Sequence, residues 1–353
     1  MKKVKVVVIG DTLVNSQTLI EAVNEMKLGG TIEEIESFEW YSDLTKDQFQ
    51  EHILAIERGG PEAVEIPAGI IEALSNADYL FAHYAPISRK MIEAGQRLKL
   101  IGTCRGGLEN VNLEAIKEKE IPLVHVIRNA EPVADFTIGL MYAETRNIAR
   151  AHCAIQQGKW EKSFSNDSYK TTLANLTVGI VGVGYIGKQV IERLNGLKVS
   201  VIAYDPFVDR ERLAADGLNV TLKENLTDLF KEADIISLHM RVTPETKQMI
   251  NKKYINLMKP SAYIINTARA DILCKEDLVD ALRNKKIAGA AMDVSWTEPI
   301  PTDDPLLKLE NVTLTTHIAG DTVDAIPRSP FLLKKVVNDY MEKGYSDMLI
   351  KIE

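Results

Sequence analysis

Three side chains in this sequence could carry proton-transfer and anion-binding chemistry. Each follows a stretch that reads as a buried strand. Arg269 ends the run Asn266-Thr267-Ala268-Arg269. Glu298 lies in Ser295-Trp296-Thr297-Glu298-Pro299, just after Met292-Asp293-Val294. His317 opens His317-Ile318-Ala319-Gly320, just after the apolar run from Val312 to Thr316. In open α/β sheets, ligands sit beyond the carboxyl ends of the strands. The three would then share one edge. A guanidinium can bind a carboxylate through two parallel hydrogen bonds and polarise the carbonyl beside it. Imidazole titrates near neutrality and can give or take a proton there. A Glu298 carboxylate paired with His317 would hold the ring and favour its charged form. Together they suit the addition of a hydride and a proton across a ketone beside a carboxylate. The product of that addition is a 2-hydroxy acid. Singly each is unremarkable, because a His at a strand end is more often structural and a Glu in a loop is usually solvated.

A hydride needs a carrier, and the stretch Leu176 to Asp205 supplies a place for one. It runs as strand, Gly182-Val183-Gly184-Tyr185-Ile186-Gly187, helix to Leu197, strand, then Asp205. A bare G-x-G-x-x-G is weak, but a strand before it and a helix after it make a dinucleotide site. Gly182 allows the tight turn, Gly184 leaves room for a pyrophosphate, and Gly187 lets the helix pack against the strand. Free N–H groups at the helix start face the phosphates. Asp205 lies 23 residues after Gly182, near the expected spacing of about 20. Its carboxylate accepts from a ribose hydroxyl and repels a 2′-phosphate, so the cofactor reads as NAD rather than NADP.

The elements that must position these residues are strands alternating with helices. The 353 residues suggest two domains. In the first, strands are expected at Val4–Ile9, Thr31–Glu39, Asp78–His83, Leu100–Thr103 and Leu123–Ile127. Helices are expected at Ser16–Met26, Thr45–Arg58, Ile66–Ser75, Arg89–Gln96 and Leu113–Lys119. Glu131 to Ile155 reads as one long helix, suited equally to a hinge, a dimer contact or a core. Six further strands follow: Thr177–Val181, Val199–Tyr204, Ala233–Leu238, Tyr263–Asn266, Ala288–Val294 and Val312–Thr316. A last helix runs from Phe331 to Gly344. The fold class is α/β, with two Rossmann-like or flavodoxin-like doubly wound parallel sheets.

Composition narrows the classes. A formal net charge of −8 argues against a nucleic-acid surface. The apolar run after Met1-Lys2-Lys3 is too short for a signal peptide and reads as the first strand. No stretch is long and apolar enough to span a membrane, so a cytoplasmic location is expected. Cys104, Cys153 and Cys274 form no C-x-x-C, which fits neither a disulfide framework nor a zinc site. No metal is expected.

With these motifs in place the sequence resembles the D-isomer-specific 2-hydroxyacid dehydrogenases over nearly its whole length. The cofactor signature is Gly182 to Gly187 with Asp205-Pro206. Asn266 to Leu278 resembles the block with the catalytic Arg, Gly289 to Val294 with Glu298-Pro299 the block with the catalytic Glu, and Thr316 to Gly320 the block with the catalytic His. The resemblance implies catalytic roles for Arg269, Glu298 and His317. It also implies cofactor contacts at Tyr185, Ile186, Pro206, His239, Thr267, Ala268 and Gly320, and places Asp293 near the nicotinamide amide. It implies a substrate domain of 1–128 plus 320–353, a cofactor domain of 129–319, and a homodimer formed through the cofactor domain.

The segment Leu98 to Asn112 resembles the family's substrate loop, whose backbone at Arg105, Gly106 and Gly107 would hold the substrate carboxylate. Asn129 to Asp135 is nearest the phosphoglycerate dehydrogenase branch. That branch carries Arg where this chain has His83 and Thr103, and those cations serve a phosphate. The expectation is therefore a small or sugar-derived hydroxy acid whose far end is read by His83 and Arg105. The opposite reading leaves both as surface residues. After one terminal helix, no appended regulatory domain is expected. Two other functions stay open: an NAD-binding regulator on the same fold, and oxidation of phosphite or formate.

Overall fold

The structure is a computed structural model that describes residues 2–208 and 210–350. It divides into two units, Met1–Arg128 with Thr322–Glu353, and Asn129–Asp321. The chain returns to the first unit at Thr322 rather than at residue 320.

The first unit holds five strands: β1 Lys3–Asp11, β2 Thr31–Trp40, β3 Tyr79–Ala82, β4 Leu100–Thr103 and β5 Leu123–His125. All neighbours pair in parallel, in the order β2-β1-β3-β4-β5. This is the flavodoxin-like order. β3, β4 and β5 are buried along their whole length, as strands covered on both faces must be. Local chemistry sets the helix starts. Thr45 and Gln48 form a reciprocal capping box on Lys46–Gly59. The helix expected over Ile66–Ser75 is only Ile70–Leu74. Gly69, at φ 81, leaves the right-handed region just before it.

The chain's later residues complete this unit. The helix Ser329–Lys343 lies beside Ser16–Asn24, and Asn338 Oδ1 accepts the Lys27 N–H at 2.7 Å. Leu333 is fully buried. It sits so close to Gly102 that a Cβ there would come within 3.1 Å of its side chain. Beyond the helix, Leu349 pairs antiparallel with Val124, and Ile350 N–H donates to the Leu123 carbonyl at 2.8 Å.

The second unit holds β6 Thr177–Val181, β7 Ser200–Tyr204, β8 Thr221–Leu222, β9 Ile235–Leu238, β10 Tyr263–Asn266, β11 Gly289–Met292 and β12 Val312–Leu314. They form one parallel sheet in the order β12-β11-β10-β9-β6-β7-β8. The order reverses between β6 and β9, the crevice where doubly wound sheets bind ligands. β8 is two residues long, too short to show a hydrophobic period, and was not expected.

The long helix expected from Glu131 to Ile155 is two helices, Ala130–Thr145 and Ile148–Gln156. Asn147 sits at φ 58, in the left-handed region, and breaks the run. Its amide donates to Asn166 Oδ1 at 2.6 Å. Arg150 turns back to Asn147 Oδ1 at 2.7 Å and to Glu144 Oε1 at 2.5 Å, and Glu144 Oε2 takes the Thr313 hydroxyl at 2.7 Å. The first helix is packed inside, whereas the second buries none of its residues. Glu144 is fully buried, and burial pushes its carboxyl above the usual range. Arg150→Met would leave that carboxylate unpaired. It should cost about 3–5 kcal/mol, read as a lower urea midpoint.

Candidate active site

The end residues of three neighbouring strands stand in register: Asn266 of β10 opposite Met292 of β11, and Met292 opposite Leu314 of β12. The loops that leave them therefore start side by side. In the first, Asn266 works as a clamp. Its Oδ1 accepts the Ala268 N–H at 3.0 Å and its amide donates to the Arg269 carbonyl at 2.9 Å. This turn fixes the backbone of Arg269 and leaves its side chain exposed, with Nη1 on the Ala268 carbonyl at 2.7 Å.

In the other two loops, His317 Nδ1 lies 2.8 Å from Glu298 Oε2. Glu298 Oε1 takes the Ser295 N–H at 2.9 Å. The His317 hydrogen bond, the Ser295 N–H and the nearby Arg269 charge hold the Glu298 carboxyl below its usual range. An ionised Glu298 can only accept, so Nδ1 carries the proton and Nε2 is the nitrogen left to exchange one with a ligand. Both side chains are more than two-fifths exposed. An ion pair that exposed is worth about 0–1 kcal/mol. His317 also sits at φ 59, and a non-glycine residue there costs about 1–3 kcal/mol. The pair forms in spite of that local cost.

Asp293 holds that strain. Its buried carboxylate accepts the Thr315 hydroxyl at 2.6 Å, the Ile318 N–H at 3.0 Å and the Ala319 N–H at 2.8 Å. These bonds bracket His317 on both sides. From sequence alone Asp293 was placed only beside a nicotinamide. Its duty to the His317 loop could not be read, because the partners lie more than twenty residues away. The Asn266 clamp was also missed, although an Asn two residues before a loop N–H is a recognisable turn signal.

At the crevice, Gly182 has φ 95, and a Cβ there would come within 2.8 Å of the His239 carbonyl. A Cβ on Gly187 would come within 2.2 Å of the Gly182 carbonyl. Gly184 is different: a Cβ there would meet nothing within 4 Å, which leaves open space above the loop. The helix Tyr185–Gly196 begins there, with Tyr185 and Ile186 half-buried and no described side chain capping it. An open approach, an uncapped helix start and its dipole fit a pyrophosphate. Asp205 closes β7 and accepts the Val183 N–H and the Phe207 N–H, both at 2.8 Å. The acid is thereby fixed against the glycine loop, with Pro206 exposed beside it. His239 follows β9, and its Nε2 lies 2.8 Å from the Ser237 hydroxyl. Burial pushes its imidazole down to about 4, so it is neutral at pH 7. Thr267 is buried with its hydroxyl 2.8 Å from that of Thr137, and Ala268 is half-buried. Gly320 is tightly packed, since a Cβ would come within 3.0 Å of the Asn129 side-chain amide, which would have to shift.

In the first unit, His83 does not present itself to a ligand. It is fully buried, with Nδ1 at 3.0 and 3.1 Å from the Asp11 oxygens and Nε2 at 2.7 Å from Arg128 Nη1. Both ring nitrogens are used, so the direct reading role expected for His83 is corrected to that of a support for Arg128. Thr103 is buried and donates to the His83 carbonyl. Arg105 is also buried, not a surface residue. Gly106 is exposed, and its carbonyl meets His125 Nδ1 at 3.0 Å. Gly107 is half-buried beside the Glu109 carboxylate. Cys104, Cys153 and Cys274 are free, and no cluster of metal-ligating side chains exists among the described residues. No helix among them is long and apolar enough to cross a membrane.

The family model described as the NAD-binding domain of D-isomer specific 2-hydroxyacid dehydrogenases matches residues 138–319. The chain belongs to this family. The D-3-phosphoglycerate dehydrogenase of Methanocaldococcus jannaschii is 36% identical to this family member over 74% of its length. The match spans only 50% of that relative, so the chain covers about half of it. The glyoxylate reductase of Thermofilum pendens is 36% identical over 69% of this chain and 71% of its own. An NAD-complexed D-isomer specific 2-hydroxyacid dehydrogenase from Lactobacillus delbrueckii ssp. bulgaricus has the same fold. Its TM-score is 0.66 at 22% identity, with 98% of this chain and 100% of that one covered. NAD is thus the cofactor of this dehydrogenase domain.

Asp293→Ala leaves three donors of the His317 loop without their acceptor. It should destabilise the second unit by about 2–4 kcal/mol, measured by denaturant melting.

Proposed function

We propose that this protein interconverts a D-2-hydroxy acid and its 2-oxo acid with NAD. The observation that carries the reading is the His317–Glu298 hydrogen bond on the same sheet edge as Arg269. In the reducing direction, His317 Nε2–H protonates the ketone oxygen. Glu298 keeps the ring oriented and favours its charged form. Arg269 binds the carboxylate and draws charge toward the developing alkoxide. NAD, when bound as NADH along Gly182 to Gly187 with its ribose at Asp205, supplies the hydride. His239, Thr267, Ala268, Asp293 and Gly320 line its nicotinamide side in this reading. The relatives' names, glyoxylate reductase and phosphoglycerate dehydrogenase, support a small 2-oxo acid as substrate.

We also propose that the active form is a homodimer joined through the cofactor unit. Ile148, Ile155 and Trp160 are at least half exposed on or just after a helix that buries nothing. Apolar residues so grouped on one element suit a partner copy.

Oxidation of NADH against glyoxylate, pyruvate, hydroxypyruvate, phosphohydroxypyruvate and sugar-derived 2-oxo acids tests the reaction. No turnover on any, despite NADH binding, would overturn it. His317→Ala should lower turnover by about 10²–10⁴-fold with NADH affinity retained. Asp205→Ala should weaken NADH binding and narrow its advantage over NADPH.

Glu298, held below its usual range, stays ionised at neutral pH. Glu298→Gln removes that charge and should lower kcat for reduction while NADH affinity is retained. Unchanged kcat would remove Glu298 from this role.

A further inference from the structure

We infer that Trp296 is a positioning residue for the proposed reaction, pinning the Glu298 turn to the segment that follows Arg269. This role rests on that reading for the step His317 and Glu298 perform. The tether itself is set by distances within the second unit.

The contact between Glu298 and His317 does not hold its own aim. An ion pair that exposed contributes little, and Thr297, Glu298 and Pro299 are all exposed. Glu298 Oε1 accepts the Ser295 N–H at 2.9 Å, which orients the carboxylate relative to Ser295. Ser295 must in turn be held, and the next residue does this. Trp296 is half-buried and packs against the core cluster to which Ile250, Ile272 and Leu273 belong. Its Nε1–H donates to the Leu273 carbonyl at 3.2 Å. An indole has a single donor, so this bond fixes the rotation of the ring as well as its place.

The accepting carbonyl is itself held. Leu273 is fully buried. On either side of it, the Ile250 N–H donates to the Ile272 carbonyl at 3.0 Å and the Cys274 N–H to the Ile250 carbonyl at 2.9 Å. Leu273 comes four residues after Arg269, joined to it by the short turn Ala270–Ile272. One hydrogen bond thus ties the loop that bears the carboxylate to the loop that bears the guanidinium.

A second clasp stands over the indole. Lys275 Nζ lies 5.6 Å from the Trp296 ring centroid and 2.5 Å from Asp304 Oδ2. A cation over an indole face is attracted to it. Asp304 is buried, and its Oδ1 accepts the Leu306 N–H at 3.0 Å. Lys275 opens the helix Lys275–Arg283. The loop that carries Glu298 is therefore fastened near both ends, at Trp296 and at Asp304, to the segment Leu273–Lys275.

The test is a double-mutant cycle in the full chain with Trp296→Leu and Glu298→Gln. It is read as NADH oxidation with whichever of glyoxylate, pyruvate and hydroxypyruvate the wild type turns over fastest. Trp296→Leu should lower kcat about 10- to 100-fold, as a small misplacement of a reacting group does, with NADH affinity retained. Added to Glu298→Gln, it should lower kcat by less than about threefold, because it acts through that carboxylate. The full loss repeated in the double variant overturns the proposal. So does a lowered melting temperature with turnover per folded chain unchanged, which makes Trp296 structural. Trp296→Phe keeps a ring in the core and loses the N–H. It should show most of the same loss, and it serves if Trp296→Leu fails to fold; wild-type turnover in it overturns the tether. A readout free of turnover is the ¹⁵N spectrum of His317, assigned by its absence in His317→Ala. At alkaline pH, where imidazoles are neutral, the wild type should hold the Nδ1–H tautomer and Trp296→Leu should mix it with Nε2–H. An unchanged tautomer in Trp296→Leu overturns the tether. A tautomer that depends on Trp296, without turnover of any 2-oxo acid by the wild type, keeps the tether and sinks the dehydrogenase reading.

Discussion

Asn266, Met292 and Leu314 stand abreast at the ends of three parallel strands, and the candidate chemistry of the second unit depends on that alignment. A parallel sheet delivers every carboxyl end to one side. Register then decides whether loops that are far apart in sequence meet. Here a loop reaching Arg269, one reaching Glu298 and one reaching His317 leave from a common line. A slip by one residue would turn every strand side chain to the opposite face. It would also part the His317–Glu298 hydrogen bond.

The parts of this arrangement that were legible in sequence were the local ones. The glycine loop, Asp205, and the runs ending at Asn266, Val294 and Thr316 each declare themselves within about ten residues, through turn chemistry and apolar runs. What stayed hidden depended on partners distant along the chain. The break at Asn147 needed Asn166 and the buried Glu144–Arg150 contact, while the local pattern favoured a continuous helix. His83 looked like a residue aimed at a ligand, because its strand end was correct. Its burial and its two partners come from β1 and from the segment after β5, and no local pattern encodes that meeting.

The two units place charge on their carboxyl edges in different ways. In the second, Glu298 and His317 are each more than two-fifths exposed, so their contact is weak in stability. In the first, Asp11 and His83 are withdrawn from water completely. Desolvation there is severe, and it is offset by surrounding Asp11 with backbone donors as well as the ring. Solvated groups suit proton exchange, whereas a dry, fully bonded relay suits the rigid aiming of a cation.

The first unit draws its strands from the early part of the chain and one of its covering helices from Ser329–Lys343. During synthesis, residues 2–128 leave the ribosome long before Leu333 exists to lie against Gly102. The second unit, continuous from Asn129 to Asp321, can close first. The five-stranded sheet must wait with an apolar face open to water, which makes it the part of a nascent chain most exposed to aggregation and most dependent on chaperone cover.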